Sequence, residues 1–138
     1  MIRYSLLLHQ RQTEDIQSIL DYWDCGEYQR RPLVACSHGM QKRVGLAVAS
    51  HHDPSLLILD EPFSGLDIFH IKALESLVLN RKKIGRMTIL STHIIPYAAK
   101  LCDRAYLMER GNLLPVSKWH QADLPTRISL IESYYFES

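Results

Sequence analysis

Apolar positions along the chain keep two different rhythms. Ile16, Ile19, Leu20 and Trp23 recur at the spacing of a helix, opened by Thr13-Glu14-Asp15 and ended at Gly26. Acids in a first turn suit the positive end of the helix dipole. Met40, Val44, Ala47 and Val48 repeat that spacing behind Ser37, a helix-capping residue, and Asp53-Pro54 stops the run just after His51-His52. Ile68, Ile71, Leu74 and Val78 form a third stripe, opened by Asp67. Asn80-Arg81-Lys82-Lys83 ends it as a solvated basic turn. Between the second and third helices, Leu56 to Leu59 shows no polar alternation, the pattern of a strand covered on both faces. Met87 to Ser91 and Arg104 to Met108 are further β-rich runs, with a short helix from Tyr97 to Leu101 between them. Ile2 to Leu8 reads equally as a helix end or a short strand. Arg110-Gly111-Asn112 is a turn leading to a small strand at Leu113-Leu114, and Ile128, Leu130, Ile131 and Tyr134 are spaced as one more helix.

Strands alternating with helices of this length predict an α/β fold with a parallel sheet. Ligands of such sheets sit at the carboxyl ends of the strands. Right-handed crossovers would bring Asp60-Glu61 and Thr92-His93, which close the first two strands, to one edge.

Composition narrows the classes without choosing among them. A chain of 138 residues with 46% hydrophobic and 22% charged residues can bury a real core and lies far from the disordered range. A formal net charge of +1 implies neither a nucleic-acid groove nor an anionic membrane surface. The three cysteines, Cys25, Cys36 and Cys102, are far apart and form no C-x-x-C pair, which fits reduced thiols in a cytosolic setting. The N-terminal run of three leucines is too short for a signal peptide, and no stretch approaches the about 18 apolar residues of a membrane span. The expectation is a soluble chain with no direct membrane insertion, whose membrane role would come through a partner.

Two stretches carry chemistry. In LLILDEPFSGLD (Leu56 to Asp67) an apolar strand delivers two adjacent carboxylates to a turn. Side chains alternate along extended backbone, so one acid can address a metal and the other a water. A strand-end carboxylate suits Mg²⁺, which keeps most of its waters, and the next can polarise a water for attack on a phosphoryl group. In CSHGMQKR (Cys36 to Arg43) a Ser and a Gly at a helix start offer a hydroxyl and free N–H groups to a phosphate. Taken alone, that second stretch reads as an ordinary Ser-capped helix. His51-His52 read as surface residues, and His9, His70 and His120 have no constellation around them.

Together these stretches resemble the C-terminal half of an ATP-binding cassette (ABC) transporter ATPase subunit, of the drug- and polysaccharide-exporter-like kind. CSHGMQKR is similar to the signature motif, LLILDEP to the Walker B strand, Ser64-Gly65-Leu66-Asp67 to the D-loop, and Ser91-Thr92-His93 to the switch-histidine strand. The resemblance runs over roughly residues 28 to 114. It implies a partial P-loop NTPase (RecA-like) core with flanking helices and part of the ABC helical subdomain. Residues 1–53 would be that subdomain with the signature helix, 54–116 the ATPase core and 117–138 a helical tail.

The resemblance also implies ATP and Mg²⁺ as cofactors, with roles carried over by position. Asp60 would hold the Mg²⁺ water shell, and Glu61 would polarise the attacking water. His93 would sense the γ-phosphate. Ser37, His38, Gly39, Met40 and Gln41 would face ATP held by the opposite subunit, and Ser64, Gly65 and Asp67 would couple the two sites. The implied partners are a second ABC ATPase subunit and a membrane permease, with no nucleic acid, at the cytoplasmic face of the membrane.

Two departures from the family pattern stand out. His38 and Met40 replace a glycine and a glutamine of the usual signature; the Ser-x-Gly-Met form is similar to that of exporters. The six glycines, at 26, 39, 45, 65, 85 and 111, never precede a Lys as in G-x-x-x-x-G-K-[ST], so no phosphate cradle is present. The Q-loop strand is missing too, and the expected beginning of the chain is just after it. The reading is an ATPase polypeptide, truncated or split, that is inactive alone. The alternative is a non-catalytic interaction module that donates its signature in trans to a complete ATPase.

Overall fold

A computed structural model of the chain describes residues 13–28 and 30–136. The Ile2 to Leu8 reading lies outside the described residues. Helix α1 spans Thr13–Tyr22 and helix α2 His38–Ser50, followed by strand β1 (Leu56–Asp60), helix α3 (Ile68–Lys83) and strand β2 (Met87–Ser91). Helix α4 (Ile95–Leu101), strands β3 (Tyr106–Glu109) and β4 (Asn112–Pro115), and helix α5 (Leu124–Phe136) complete the chain. It divides into two compact units, residues 1–91 and 92–138.

In the first unit β1 and β2 pair in parallel through the α3 crossover, with Leu56 opposite Met87 and Asp60 opposite Ser91. Leu57 and Leu59 point into the core, whereas Leu56 and Ile58 are exposed. The continuous apolar run predicted cover on both faces, and one face is covered. The stripe of α3 is likewise shifted from its expected place. Leu74 and Val78 are buried, but Ile68 is 58% exposed and the stripe continues instead to Arg81, which is 3% exposed. Arg81 is therefore not part of a solvated helix end. Its guanidinium donates to Thr88 Oγ1 (3.2 Å), Asp53 Oδ1 (2.9 Å), Pro54 O (2.7 Å) and Met87 O (3.0 Å). A buried cation is tolerated where oxygens take its N–H groups, and these four oxygens lie at the starts of both strands.

Helix α2 begins as expected, with Ser37 Oγ accepting the Met40 N–H at 3.3 Å. Val44 and Ala47 are buried on its inner side together with Leu46. Trp23 Nε1 donates to Ser50 Oγ at 3.4 Å, and Tyr22 Oη donates to Ala73 O at 2.6 Å, so the end of α1 is bound to both α2 and α3. His51 is buried, with Nδ1 2.6 Å from Val48 O, and is not the surface residue the sequence predicts; His52 beside it is exposed.

In the second unit the third strand does not extend the parallel sheet. β3 pairs antiparallel with β4 through a turn at Arg110 and Gly111, both with positive φ (47° and 81°). Two such residues make the tight turn whose twist matches a hairpin, which folds β4 back onto β3. Ala99, Val116, Trp119 and Ile131 form the core, with Ile128 and Leu130 of α5 packed against it. Arg127 fastens α5 to the end of α4. It donates to Ala99 O (3.0 Å), Cys102 O (3.2 Å), Trp119 O (3.0 Å) and Ala122 O (3.1 Å), and its guanidinium lies 5.3 Å from the Trp119 ring centroid.

Candidate functional site

Asp60 is the last residue of β1, and Glu61 leaves the strand with φ 41°. A non-glycine residue in the left-handed region costs about 1 kcal/mol or more and persists only where its surroundings hold it. The holding group is Ser91, at the end of the paired strand. Its Oγ accepts the Glu61 N–H at 3.0 Å and donates its own proton to Asp60 Oδ1. One hydroxyl thus holds the Asp60 carboxylate and the backbone turn at Glu61. Lys42 of α2 adds a tether from its ammonium to Asp60 O at 3.2 Å.

After Glu61 the chain turns at once. Pro62 and Phe63 are buried, Ser64 N–H donates to Glu61 O, and Leu66 N–H donates to Phe63 O. Ser64 and Asp67 stay exposed. Gly65 has φ 75°, a backbone conformation open to glycine, and a Cβ there would meet His38 Cδ2 at 2.8 Å. A Cβ on Gly39 would lie 2.9 Å from Gly65 O. The start of α2 and the loop 64–67 therefore pack closely: Gly39 is kept bare by the Gly65 carbonyl, and Gly65 by its own positive φ and by the His38 ring.

Asp67 caps α3. Its Oδ1 accepts the Phe69 and His70 N–H groups, both at 3.0 Å, and His70 Nδ1 lies 2.8 Å from each carboxylate oxygen. The His70 backbone N–H, and then its imidazole, hold the Asp67 carboxyl below the usual carboxylate range. On its far side His70 Nε2 meets Arg43 Nη1 at 3.1 Å, and the same nitrogen donates to Asp24 Oδ2 (2.6 Å) and Asp24 O (3.1 Å). The sequence predicts no constellation around His70, whereas the structure places it between two chemistry-bearing segments.

The sequence-predicted residues divide accordingly. Ser37, His38 and Gly39 sit at the start of α2 beside Gly65. Asp60 and Glu61 sit at the end of β1 beside Ser91. Gln41 turns its amide back to Leu33 O (2.9 Å) and Cys36 O (3.1 Å), bracing the turn before the helix. Met40 supplies the N–H that Ser37 caps. His93, exposed, follows the end of β2 by two residues. Sequence reasoning gave no role to Ser91, Lys42, Arg43 or His70. Ser91 was accessible from the parallel pairing opposite Asp60; the other three depend on how α2 packs.

The family model for the ABC transporter matches residues 3–64. Curated relatives extend the match over most of the chain. The chain is 34% identical over 109 residues to an uncharacterized ABC transporter ATP-binding protein, MJ1023, of Methanocaldococcus jannaschii, covering 76% of this chain and 42% of that protein. It is 35% identical to the Nod factor export ATP-binding protein I of Sinorhizobium fredii over 82% of this chain and 33% of that one. It is 34% identical to the teichoic acids export ATP-binding protein TagH of Lactiplantibacillus plantarum, over 85% and 33% respectively.

The chain belongs to the ABC transporter ATPases. It spans between about a third and two fifths of the length of these curated relatives. The fold agrees: an ABC ATP-binding cassette solved in its ADP conformation superposes with a TM-score of 0.57 at 20% identity, over 91% of this chain and 51% of that one. A metal-chelate-type ABC transporter superposes with the same score at 22% identity, over 84% and 45%. The family binds nucleotide. Asp60 is exposed at a strand end, as a hydrated cation requires, while no cluster of three or more His, Cys, Asp or Glu that could hold a metal directly occurs among the described residues. The phosphate-cradling loop is not in this sequence. Among the described residues no helix is long and apolar enough to cross a membrane.

Proposed function

We propose that this chain supplies the signature and acid-bearing part of an ABC transporter ATP-binding subunit that couples ATP hydrolysis to export. The observation that carries the reading is the Asp60–Glu61–Ser91 arrangement at the parallel strand ends. Bound Mg²⁺ would neutralise charge on the phosphates. Asp60 would hold its water shell, and Glu61, kept in its turn by Ser91, would take a proton from the attacking water. His93 would contact the γ-phosphate. Ser37, whose hydroxyl proton remains available while its oxygen caps the helix, would contact ATP of the opposite subunit together with His38, Gly39 and the following backbone. Ser64, Gly65 and Asp67 would couple the two sites. A second ATPase subunit and a permease complete the assembly at the cytoplasmic side of the membrane. Export is favoured by the Nod factor and teichoic acids relatives and by the Ser-x-Gly-Met signature. Residues 1–53 would belong to the helical subdomain, 54–116 to the ATPase core and 117–138 to the tail.

The exposure of Ser37 and His38 at the start of α2 supports a second reading, a non-catalytic partner that donates its signature to a complete ATPase. A single experiment separates the two. Purified chain incubated with Mg-ATP should show negligible phosphate release, whereas mixing with a complete ABC ATPase subunit should raise turnover. Under the first reading that gain falls at least about a hundredfold with Glu61→Gln, the scale of losing a positioned base. Under the second it survives Glu61→Gln and is lost with Ser37→Ala. No gain with any partner would sink both.

A further inference from the structure

The contacts of His70 fix which of its nitrogens carries the proton. Arginine has donors and no acceptor, so His70 Nε2, 3.1 Å from Arg43 Nη1, must accept. The Asp67 carboxylate is an acceptor, so Nδ1, 2.8 Å from both of its oxygens, must donate. These contacts call for the Nδ1–H form of the ring, which spans a gap between Arg43 of α2 and Asp67 at the head of α3. The His70 side chain is 12% exposed and that of Arg43 15%, so the contact between them is shielded, whereas the Asp67 carboxylate is 59% exposed. Arg43 is itself braced, by Asp24 at 2.6 Å and by the Tyr28 ring 5.2 Å below its guanidinium. Tyr28 and its neighbour Cys25 are pushed up by burial and stay uncharged, leaving Asp24 and Asp67 as the anions around the pair.

We infer that Arg43 and His70 are positioning residues that tie the aim of the Asp67 carboxylate to the signature helix. The same two segments already meet once, where Gly39 and His38 pack on Gly65. A second connection through Arg43, His70 and Asp67 makes the joint resist rotation as well as separation. Movement of α2 would therefore be passed to the loop 64–67 within one subunit. The link deepens the proposed reading, since its purpose rests on those segments facing nucleotide. Its existence does not depend on that reading.

The test is nitrogen NMR of the full chain without nucleotide. A long-range proton–nitrogen spectrum of the ¹⁵N-labelled protein should find His70 protonated at Nδ1 and bare at Nε2. Arg43→Ala frees Nε2, so the ring should move to the Nε2–H form and the Ser64 to Leu66 amides should shift. Arg43→Lys restores a single donor and should return both signals towards wild type. His70→Asn keeps a donor near Asp67 but reaches no arginine, and should shift the same loop amides. Wild-type protein found in the Nε2–H form overturns the inference, whatever the variants do, so a variant that fails to fold does not shelter it. Loop amides unmoved in Arg43→Ala overturn it as well. Failure to bind ATP with the Nδ1–H form present would count against the functional reading alone.

Discussion

Two single residues carry more of this molecule than their type suggests. Arg81 is a buried cation whose donors are matched by four oxygens from the segments that start β1 and β2. Truncating it removes the donor of Asp53 Oδ1 and of two carbonyls, while Arg86 still holds Asp53 Oδ2, and acceptors left unmatched in this way cost about 1–3 kcal/mol. Arg81→Ala should accordingly lower the urea midpoint of the first unit far more than Lys82→Ala, an exposed neighbour. Asp67 is the second. Its carboxyl is depressed by the His70 N–H and imidazole, so the folded chain holds its proton less tightly than the unfolded chain does. That contribution is fully present above the ordinary aspartate value of about 3.9 and is lost as pH falls through the lower folded value. Carbon NMR titration of the carboxyl should show the depressed midpoint in wild type and a return towards the ordinary value in His70→Ala.

At the scale of elements, α3 shows how far a hydrophobic stripe can be trusted. The spacing Ile68, Ile71, Leu74, Val78 identified the helix and its cap, yet the buried part starts later and ends on a charge. The first turn of α3 leaves the loop while Asp67 is still exposed, so Ile68 faces solvent although its spacing fits the core. Leu74→Ala should cost about 3 kcal/mol, as a truncation at a fully enclosed site does. Ile68→Ala should stay within about 0.5 kcal/mol. Thermal melts of the two variants check this, and equal losses would mean the helix is packed by its other face. The hairpin of β3 and β4 teaches the complementary point. The run Arg104 to Met108 announced a strand, but its partner was decided by two positive-φ residues at 110 and 111 that turn the chain straight back.

At the scale of the molecule, the parallel pair presents an open apolar face in the first unit. Leu56, Ile58, Met87 and Ile89 are 44%, 66%, 61% and 52% exposed and stand opposite each other in register. Parallel strands are ordinarily covered on both faces, and a flat apolar surface at a short sheet promotes association. The chain should therefore self-associate at micromolar concentration. Ile58→Lys with Ile89→Lys should return it towards monomer in analytical ultracentrifugation without lowering the melting temperature. A monodisperse wild-type chain would show that this face needs no cover.

The sequence by itself determined the element order, the caps at Ser37 and Asp67, the acids at the end of β1 and the family they resemble. These are local properties: a cap, a stripe or a strand-end acid is set by residues within one or two turns of each other. The tertiary structure alone decided that one hydroxyl, Ser91, holds both the Asp60 carboxylate and the Glu61 backbone, and that Arg81 and His51 are buried. It also decided that a side chain at Gly39 would run into the Gly65 carbonyl and one at Gly65 into the His38 ring, and that His70 stands between Asp67 and Arg43. Each of these rests on atoms far apart in the chain. An apolar or charged residue states what environment it prefers, and packing alone determines which distant neighbour provides it.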